Sequence, residues 1–378
     1  MITPDYFYVI VGGGMAGLQL ALRISEDIFF KGKKIAIIEP SEKSLNDKTW
    51  CYWESRPGRW DDLIYKQWQH GKFVTTDISK DLDLEPYSYK MLRSIDFYNY
   101  ARETLDAKNE FSFIKDEVSA IDSVTRTAKG KIDNYTATHF FDSRPPIDYK
   151  KDSAASLIYQ HFKGIHIKVN ENTFDPRKFT MMDYRVKHKQ NTCFTYVLPF
   201  TATEALIEFT YFTPQLTEET IYDKKLEKYI STILGISEYE ILDSEKGVIP
   251  MTDYTFTASN TKHITKIGTA GGWVKPSTGY SFKSTEKKVE RVIENIKAGK
   301  RPSHKLLNLK YQRYDAIFLD VLEKRNDLGE SLFTKLYTKN NIQDIFKFLD
   351  EETSSSEDLR IMLSLYHPQF LRSLLNKL

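Results

Sequence analysis

Apolar and polar positions alternate along this chain in three regimes. It opens on a continuous apolar run, Tyr8-Val9-Ile10-Val11, broken by Gly12-Gly13-Gly14. The run resumes as Met15, Ala16, Leu18, Leu20, Ala21, Leu22 and Ile24. This predicts a buried strand, a tight turn and a buried helix. Gly32 ends the helix, and Lys34-Ile35-Ala36-Ile37-Ile38 reads as a second short strand that Glu39 terminates. From about 60 to 92 the runs shorten and alternate, as in Lys72-Phe73-Val74-Thr75-Thr76, and predict strands of an inserted domain. Residues 96–108 read as a helix, and 111–114, 118–121 and 138–142 as strands. The stretch 156–212 is again β in pattern, clearest at 166–169, 192–200 and 205–212. Residues 217–234 are helical, with Ile221, Leu226, Tyr229, Ile230 and Ile233 on one face, and Gly247-Val248-Ile249-Pro250 ends this region. A strand at 263–267 enters a second glycine turn, Gly268-Thr269-Ala270-Gly271-Gly272. A helix follows with Val289, Val292, Ile293 and Ile296 on its buried face. Beyond Pro302 the pattern is mostly helical, broken at Ser354-Ser355-Ser356 and Pro368.

Composition narrows the class. At 378 residues, 40% hydrophobic and 28% charged, the chain suits a globular protein of two or three domains. A net charge of +2 gives no reason to expect nucleic acid as a partner. Cys51 and Cys193 make no disulfide framework, which fits a reducing compartment. No signal peptide precedes the first strand, and no apolar run approaches the ~20 residues that span a bilayer. With 23 Tyr and 23 Phe, the chain has aromatics either for core filling or for an apolar tunnel.

The candidate chemistry begins at the first turn. Gly12, Gly14 and Gly17 fit G-x-G-x-x-G between a strand and a helix, the context of a pyrophosphate site. Glu39, at the end of the second strand, stands where an acid binds a ribose hydroxyl. Asn46-Asp47-Lys48-Thr49-Trp50-Cys51-Tyr52-Trp53-Glu54 crowds tryptophans among charges and reads as a loop, either a surface loop with anchoring aromatics or part of a ligand site. Glu208 is the one acid in Leu206-Ile207-Glu208-Phe209-Thr210-Tyr211. It is either an outward strand residue or a carboxyl desolvated by its neighbours.

These pieces together resemble the flavoprotein lycopene cyclases of bacteria and plants. The likeness covers roughly residues 5–300 and rests on nine features: the first glycine turn, Asp47-Lys48-Thr49-Trp50, Phe141-Asp142-Ser143-Arg144-Pro145, Leu198-Pro199-Phe200, Glu208, Ile249-Pro250-Met251, Gly268-Thr269-Ala270-Gly271-Gly272, Lys275-Pro276 and Ser277-Thr278-Gly279-Tyr280. It implies an α/β fold with three parts. A Rossmann-like FAD-binding domain would draw on 1–55, 95–150 and 245–300. A β-rich substrate-binding domain would draw on 56–94 and 151–244, and a helical region would follow over 301–378. It also implies a redox-neutral isomerase that needs reduced FAD, with NADPH as reductant. This enzyme would close the acyclic ends of lycopene or related carotenoids into β-ionone rings, taking lycopene through γ-carotene to β-carotene.

By that resemblance Glu208 is the acid, with Asp47, Trp50 and Glu54 as further catalytic candidates. Gly12, Gly14, Met15, Ala16, Gly17, Glu39, Asp142, Gly268, Thr269, Ala270, Gly279 and Tyr280 would hold the flavin. Gly279, at a helix start, would aim N–H groups at the ring. Phe209 departs from the family pattern by replacing a second acid, and Thr269 stands where many related flavoproteins carry an Asp. Phe348-Leu349-Asp350-Glu351-Glu352-Thr353 imitates the acidic motif but falls too late in the chain and reads as a solvated helix end. No metal site is implied. A substrate insoluble in water implies a cytoplasmic enzyme seated peripherally on the cell membrane. Phe370, Leu371, Leu374, Leu375 and Leu378 form an apolar stripe that either docks on the protein or meets lipid. The basic residues Lys297, Lys300, Arg301, Lys305 and Lys310 either meet lipid heads or are simply solvated. The alternative on the same fold is an FAD- and NADPH-dependent monooxygenase or prenyl reductase.

Overall fold

A computed structural model describes residues 4–146, 149–150, 152 and 154–377. Strand β1 (Tyr6–Val11) turns through the glycines into helix α1 (Met15–Glu26) and returns as β2 (Ile35–Ile38). Five short strands follow: β3 (Thr49–Glu54), β4 (Lys66–Trp68), β5 (His70–Val74), β6 (Ser79–Asp83) and β7 (Ser88–Arg93). Helix α2 (Ser94–Asp106) leads to β8 (Phe111–Ile114), β9 (Ala120–Asp122), β10 (Thr127–Lys129) and β11 (Asn134–Asp142). Four strands then follow, β12 (Leu157–Lys168), β13 (Lys178–Asp183), β14 (Cys193–Pro199) and β15 (Glu204–Thr213). After α3 (Glu219–Lys228) come β16 (Glu240–Thr252), β17 (Ile264–Lys266) and α4 (Phe282–Lys297). The chain finishes in α5 (Leu309–Lys324), α6 (Gly329–Lys339), α7 (Ile342–Leu349), α8 (Ser355–Ser364) and α9 (Pro368–Lys377).

Three sheets result. In the first, β8, β2, β1, β11 and β17 are parallel neighbours in that order, and β10 and β9 extend β11 as an antiparallel ribbon. Val9, Ile10, Ala36 and Ile37 are fully buried, as strands covered on both faces must be. Helices α1 and α4 cover one face, joining Leu20, Leu22, Val292 and Ile293 in one core. The second sheet has the order β16-β12-β15-β14-β13-β5-β6 and is antiparallel except at β13 and β5. Its two faces differ. Ile207, Phe209 and Tyr211 pack against α3, while Leu198, Leu206 and Phe212 join the core beneath the C-terminal helices. The third sheet is β3-β7-β4.

The pattern reading misplaced several local features. Residues 49–54 are not a loop but a strand paired along its length with β7, so its tryptophans are packed strand residues. A domain boundary at 245 would cut through β16, which belongs to the substrate-side sheet and pairs with β12. Ser354 does more than interrupt a helix. Its hydroxyl caps α8 and Glu357 reaches back to its N–H, so the serines start a helix. Asp350 in the late acidic stretch is not solvated: its carboxylate accepts a bond from the Trp53 indole at 2.9 Å, and burial raises its pKa to about 6. Leu378 of the terminal stripe lies outside the described residues.

Candidate functional site

The first glycine turn is a cradle open on one side. Gly12 adopts φ 110°, and a Cβ there would lie 1.9 Å from the Ser143 hydroxyl, so only glycine fits. A Cβ on Gly17 would lie 2.1 Å from the Gly12 carbonyl oxygen. Around Gly14, by contrast, nothing among the described residues lies within 4 Å of where a Cβ would be, and none of their side chains caps the first turn of α1. The amides there face open space, the arrangement that receives an anion. Glu39 sits at the rim. It accepts from the Gly13 N–H at 2.8 Å and from the Ser41 hydroxyl at 2.7 Å.

From this cradle a cavity of about 350 Å³ runs between the first two sheets. Gly14, Met15, Thr269, Thr278, Gly279 and Tyr280 line one side, and Gln160, Phe162, Tyr196, Leu206 and Glu208 the other. Gln160 Oε1 and Thr278 Oγ1, both buried, have no hydrogen-bond partner among the described residues. A phosphate cradle at one end and orphaned polar atoms further along fit a dinucleotide with a polar ring system. A larger cavity of about 650 Å³ shares Cys51, Val274, Tyr280 and Phe282 with this wall and extends toward α5.

The second glycine turn presses on the first. Gly268 has φ 60°, and the Ala16 methyl lies 3.1 Å from where its Cβ would be, with Ala270 buried beside it. Gly279 does not serve as expected. Its amide donates to the Lys275 carbonyl at 2.9 Å, Lys275 in turn donates to Tyr280 at 2.8 Å, and α4 begins only at Phe282. The tight turn consumes the N–H, so Thr278 and Gly279 shape the cavity without aiming that donor into it.

Glu208 sits on β15 facing this cavity. Strand alternation puts Thr210 on the same face, where its hydroxyl donates to Glu208 at 2.6 Å, and turns Phe209 to the opposite face against α3. An acid at 209 would therefore point away from the cavity. A second carboxyl comes instead from Glu245 on β16, which sequence reasoning missed. The register sets Gly164 of β12 opposite both Glu208 and Glu245. A Cβ at Gly164 would lie 3.3 Å from Glu245 Cγ and 3.4 Å from Glu208 Cβ. The absent side chain lets the two acidic side chains approach each other across a strand. Burial first, and the Glu245 charge second, push the Glu208 carboxyl up to about 8. Glu245 is also raised, mainly by burial, while the Thr49 hydroxyl donating at 2.7 Å acts against that.

The remaining expected residues divide. Asp47 lines the cavity and accepts from the Ser94 and Tyr98 hydroxyls, both at 3.1 Å, fastening its loop to α2. Trp50 also lines it, held between Phe97 and Phe282 with ring centroids 5.5 and 5.7 Å away. Tyr280 contributes its ring to the wall, and its hydroxyl is 3.2 Å from that of Tyr89. Glu54 is not a catalytic candidate. It is absent from the cavity wall, and its two oxygens are taken by Lys90, at 3.0 Å, and Lys283. Asp142 is likewise not available to a cofactor. Arg144 at 2.8 Å and Lys266 at 2.7 Å hold it, and with burial opposing them they keep its carboxyl below the usual range. It ties β11 to β17. Among the described residues no group of His, Cys, Asp and Glu is placed to hold a metal.

Comparison with known proteins gives the family and the fold. The family model described as "Lycopene cyclase protein" matches residues 8–375. A lycopene beta cyclase of Capsicum annuum is 27% identical over 305 residues, 73% of this chain and 57% of that one. One from Arabidopsis thaliana is 28% identical over the same shares. The chain thus spans just over half the length of these curated relatives. Among solved structures, a geranylgeranyl bacteriochlorophyll reductase-like protein from Thermoplasma acidophilum superposes with a TM-score of 0.61 at 14% identity, covering 99% of both chains. A mutant of halogenase PltM in complex with FAD superposes at 0.60 with 11% identity, covering 97% of this chain and 89% of that one. At such identities the likeness is one of fold.

Proposed function

This chain belongs to the lycopene cyclase family, and on that premise we propose that it is a flavin-dependent lycopene β-cyclase acting on the acyclic ends of lycopene and related carotenoids. The observation that carries the reading is the placement of Glu208: a carboxyl whose pKa is pushed up by burial and by Glu245, in the wall of a cavity that begins at a phosphate cradle. An alkene is a weak base, so its protonation needs an acid that is neutral and poorly hydrated. Glu208 meets that need through burial and through Glu245. Its O–H proton passes to the terminal double bond and leaves a tertiary cation. The neighbouring double bond attacks that cation to form the ring C–C bond, and loss of a ring proton sets the final double bond. Mass and electron count do not change. Trp50, Phe162, Tyr196 and Tyr280 line the same cavity and offer π faces to the cation.

The open amides of the first turn, from Gly14 to Gly17, with Glu39, would hold the ADP half of FAD. Met15, Ala16, Gly268, Thr269, Ala270, Thr278 and Gly279 would border its ring. When bound and reduced, with NADPH as the reductant, the flavin would supply negative charge that stabilises a cation. Among the described residues no helix is long and apolar enough to cross a membrane. Leu359, Leu363, Leu371 and Leu375 on α8 and α9 are exposed, which supports a peripheral seat on a membrane surface. Of the five basic residues, Lys297 is paired with Asp27 and Lys310 with Asp358.

The test is expression in cells that accumulate lycopene. The wild-type chain should replace the red pigment with a product of identical mass, and Glu208→Gln should leave lycopene unchanged. Persistence of lycopene with the wild type overturns the reading. A product differing in mass by hydrogen or oxygen assigns the chain to reductase or monooxygenase chemistry instead.

A further inference from the structure

Glu245 has no role in the reading above beyond its charge, yet its placement is specific. It comes from the strand next but one to that of Glu208, and the intervening β12 presents Gly164, with no side chain, between them. A second glycine on the same face, Gly247, repeats the device: a Cβ there would lie 2.5 Å from the Phe162 ring. The sheet is thinned where the two carboxyls meet. Both line the cavity. Their other partners are hydroxyls: Thr210 donates to Glu208 at 2.6 Å, and Thr49 to Glu245 at 2.7 Å. No lysine or arginine forms an ion pair with either carboxyl among the described residues.

We propose that Glu245 is the proton-holding partner of Glu208, the two carboxyls sharing one proton across Gly164 in the cavity wall. Glu208 carries the O–H and Glu245, as carboxylate, accepts its hydrogen bond. Two like charges this close in a poorly hydrated wall do not both ionise near neutral pH, so the pair retains one proton. This rests on the acid role given to Glu208. Glu245 acts through that group and is a positioning residue. When the Glu208 proton passes to the substrate carbon, the O–H bond breaks, a C–H bond forms and the pair is left doubly negative. The proton released on ring closure returns to the pair, which begins and ends each cycle with one proton.

Few other groups bear on this equilibrium. From β3 and the segment before it, Glu245 is faced by the Thr49 hydroxyl and the Lys48 charge, and from its own strand by Asp243. Around Glu208 the further titratable groups are Cys51, Tyr196 and Tyr280, all with pKa values raised by burial and hence neutral.

Infrared titration of the purified full-length protein reads the shared proton directly. Wild type should show a protonated-carboxyl C=O band at pH 7 that Glu208→Gln lacks. In Glu245→Gln the like charge is gone, and that band should titrate at least about one pH unit lower. In a cyclisation assay the alkaline limb of the pH–rate profile should move by the same amount, and Glu245→Asp should return it toward wild type. Thr49→Val removes the bond that favours ionised Glu245, so it should move the band in the opposite direction, to higher pH. A band and limb unmoved in Glu245→Gln overturn the proposal even if the rate falls, because a packing role does not shift a titration. Should Glu245→Gln not fold, an unmoved band in Thr49→Val overturns it equally. If the band shifts as expected while no variant or wild type cyclises lycopene, the shared proton stands and the cyclase reading falls.

Discussion

Glu208→Gln should stabilise the protein progressively as pH rises. Folding lifts the Glu208 carboxyl from its ordinary 4.5 to about 8. Between those values the folded state holds a proton that the unfolded state has released. Proton linkage then makes unfolding easier with each increment of pH, so the stability present below about 4.5 is lost as pH climbs toward 8. Between pH 5 and pH 7 this one group withdraws about 2–3 kcal/mol. Glutamine matches glutamate in size, still receives the Thr210 hydroxyl and has no proton to lose. The variant should therefore gain about 2–3 kcal/mol on the wild type across that interval. For 378 residues this amounts to roughly 3 °C in the unfolding midpoint. Calorimetric scans of both proteins at pH 5, 6, 7 and 8 and equal ionic strength measure it. Titrating groups remote from Glu208, including Asp350, are common to both proteins and drop out of the difference, and repeating the comparison in a Glu245→Gln background removes the coupled partner. A gap between variant and wild type that stays flat from pH 5 to pH 8 would refute the argument. Glu208 would then ionise like a solvated carboxylate, and the wall around it would be wet.

Two further substitutions separate cofactor binding from scaffolding. Gly17→Ala drives a methyl to 2.1 Å from the Gly12 carbonyl, so purified protein should lose flavin absorbance and melt at lower temperature; flavin retained at the wild-type ratio would contradict the cradle. Glu54→Gln removes the carboxylate shared by Lys90 and Lys283, which keep Asp61 and Glu286 as partners, and should cost about 1–2 kcal/mol in stability with kcat little changed. A selective loss of kcat at unchanged melting temperature would restore Glu54 to the chemistry.

The glycine turns and Glu208 were legible because each is a local matter. A strand, a glycine that alone tolerates φ 110° and a helix start lie within a dozen residues of one another, and the sterics act over that range. A lone acid in an apolar strand is equally visible, because strand alternation is set by immediate neighbours, although whether that acid is desolvated is not. Three other positions turned on partners distant in the chain. Thr49–Glu54 looked like a loop because its aromatic and charged residues satisfy no simple period. It is a strand because β7 supplies the ladder. Glu54 and Asp142 looked functional by type and motif. They are structural because Lys90, Lys283 and Lys266 arrive from other elements and take up their charges.

What the sequence by itself determined is the class of protein: an α/β chain with an anion cradle at its first turn, a second glycine turn, and one acid in apolar surroundings. Local periodicity and backbone sterics suffice for these. What only the tertiary structure decided is how that acid behaves. The pKa of Glu208 depends on the register of three strands, on the missing side chain of Gly164 between two carboxyls, and on hydroxyls from β3 and β15. Strand register is set by the summed packing of whole sheets, and desolvation by every element that closes over a site. Neither quantity belongs to any single stretch of chain.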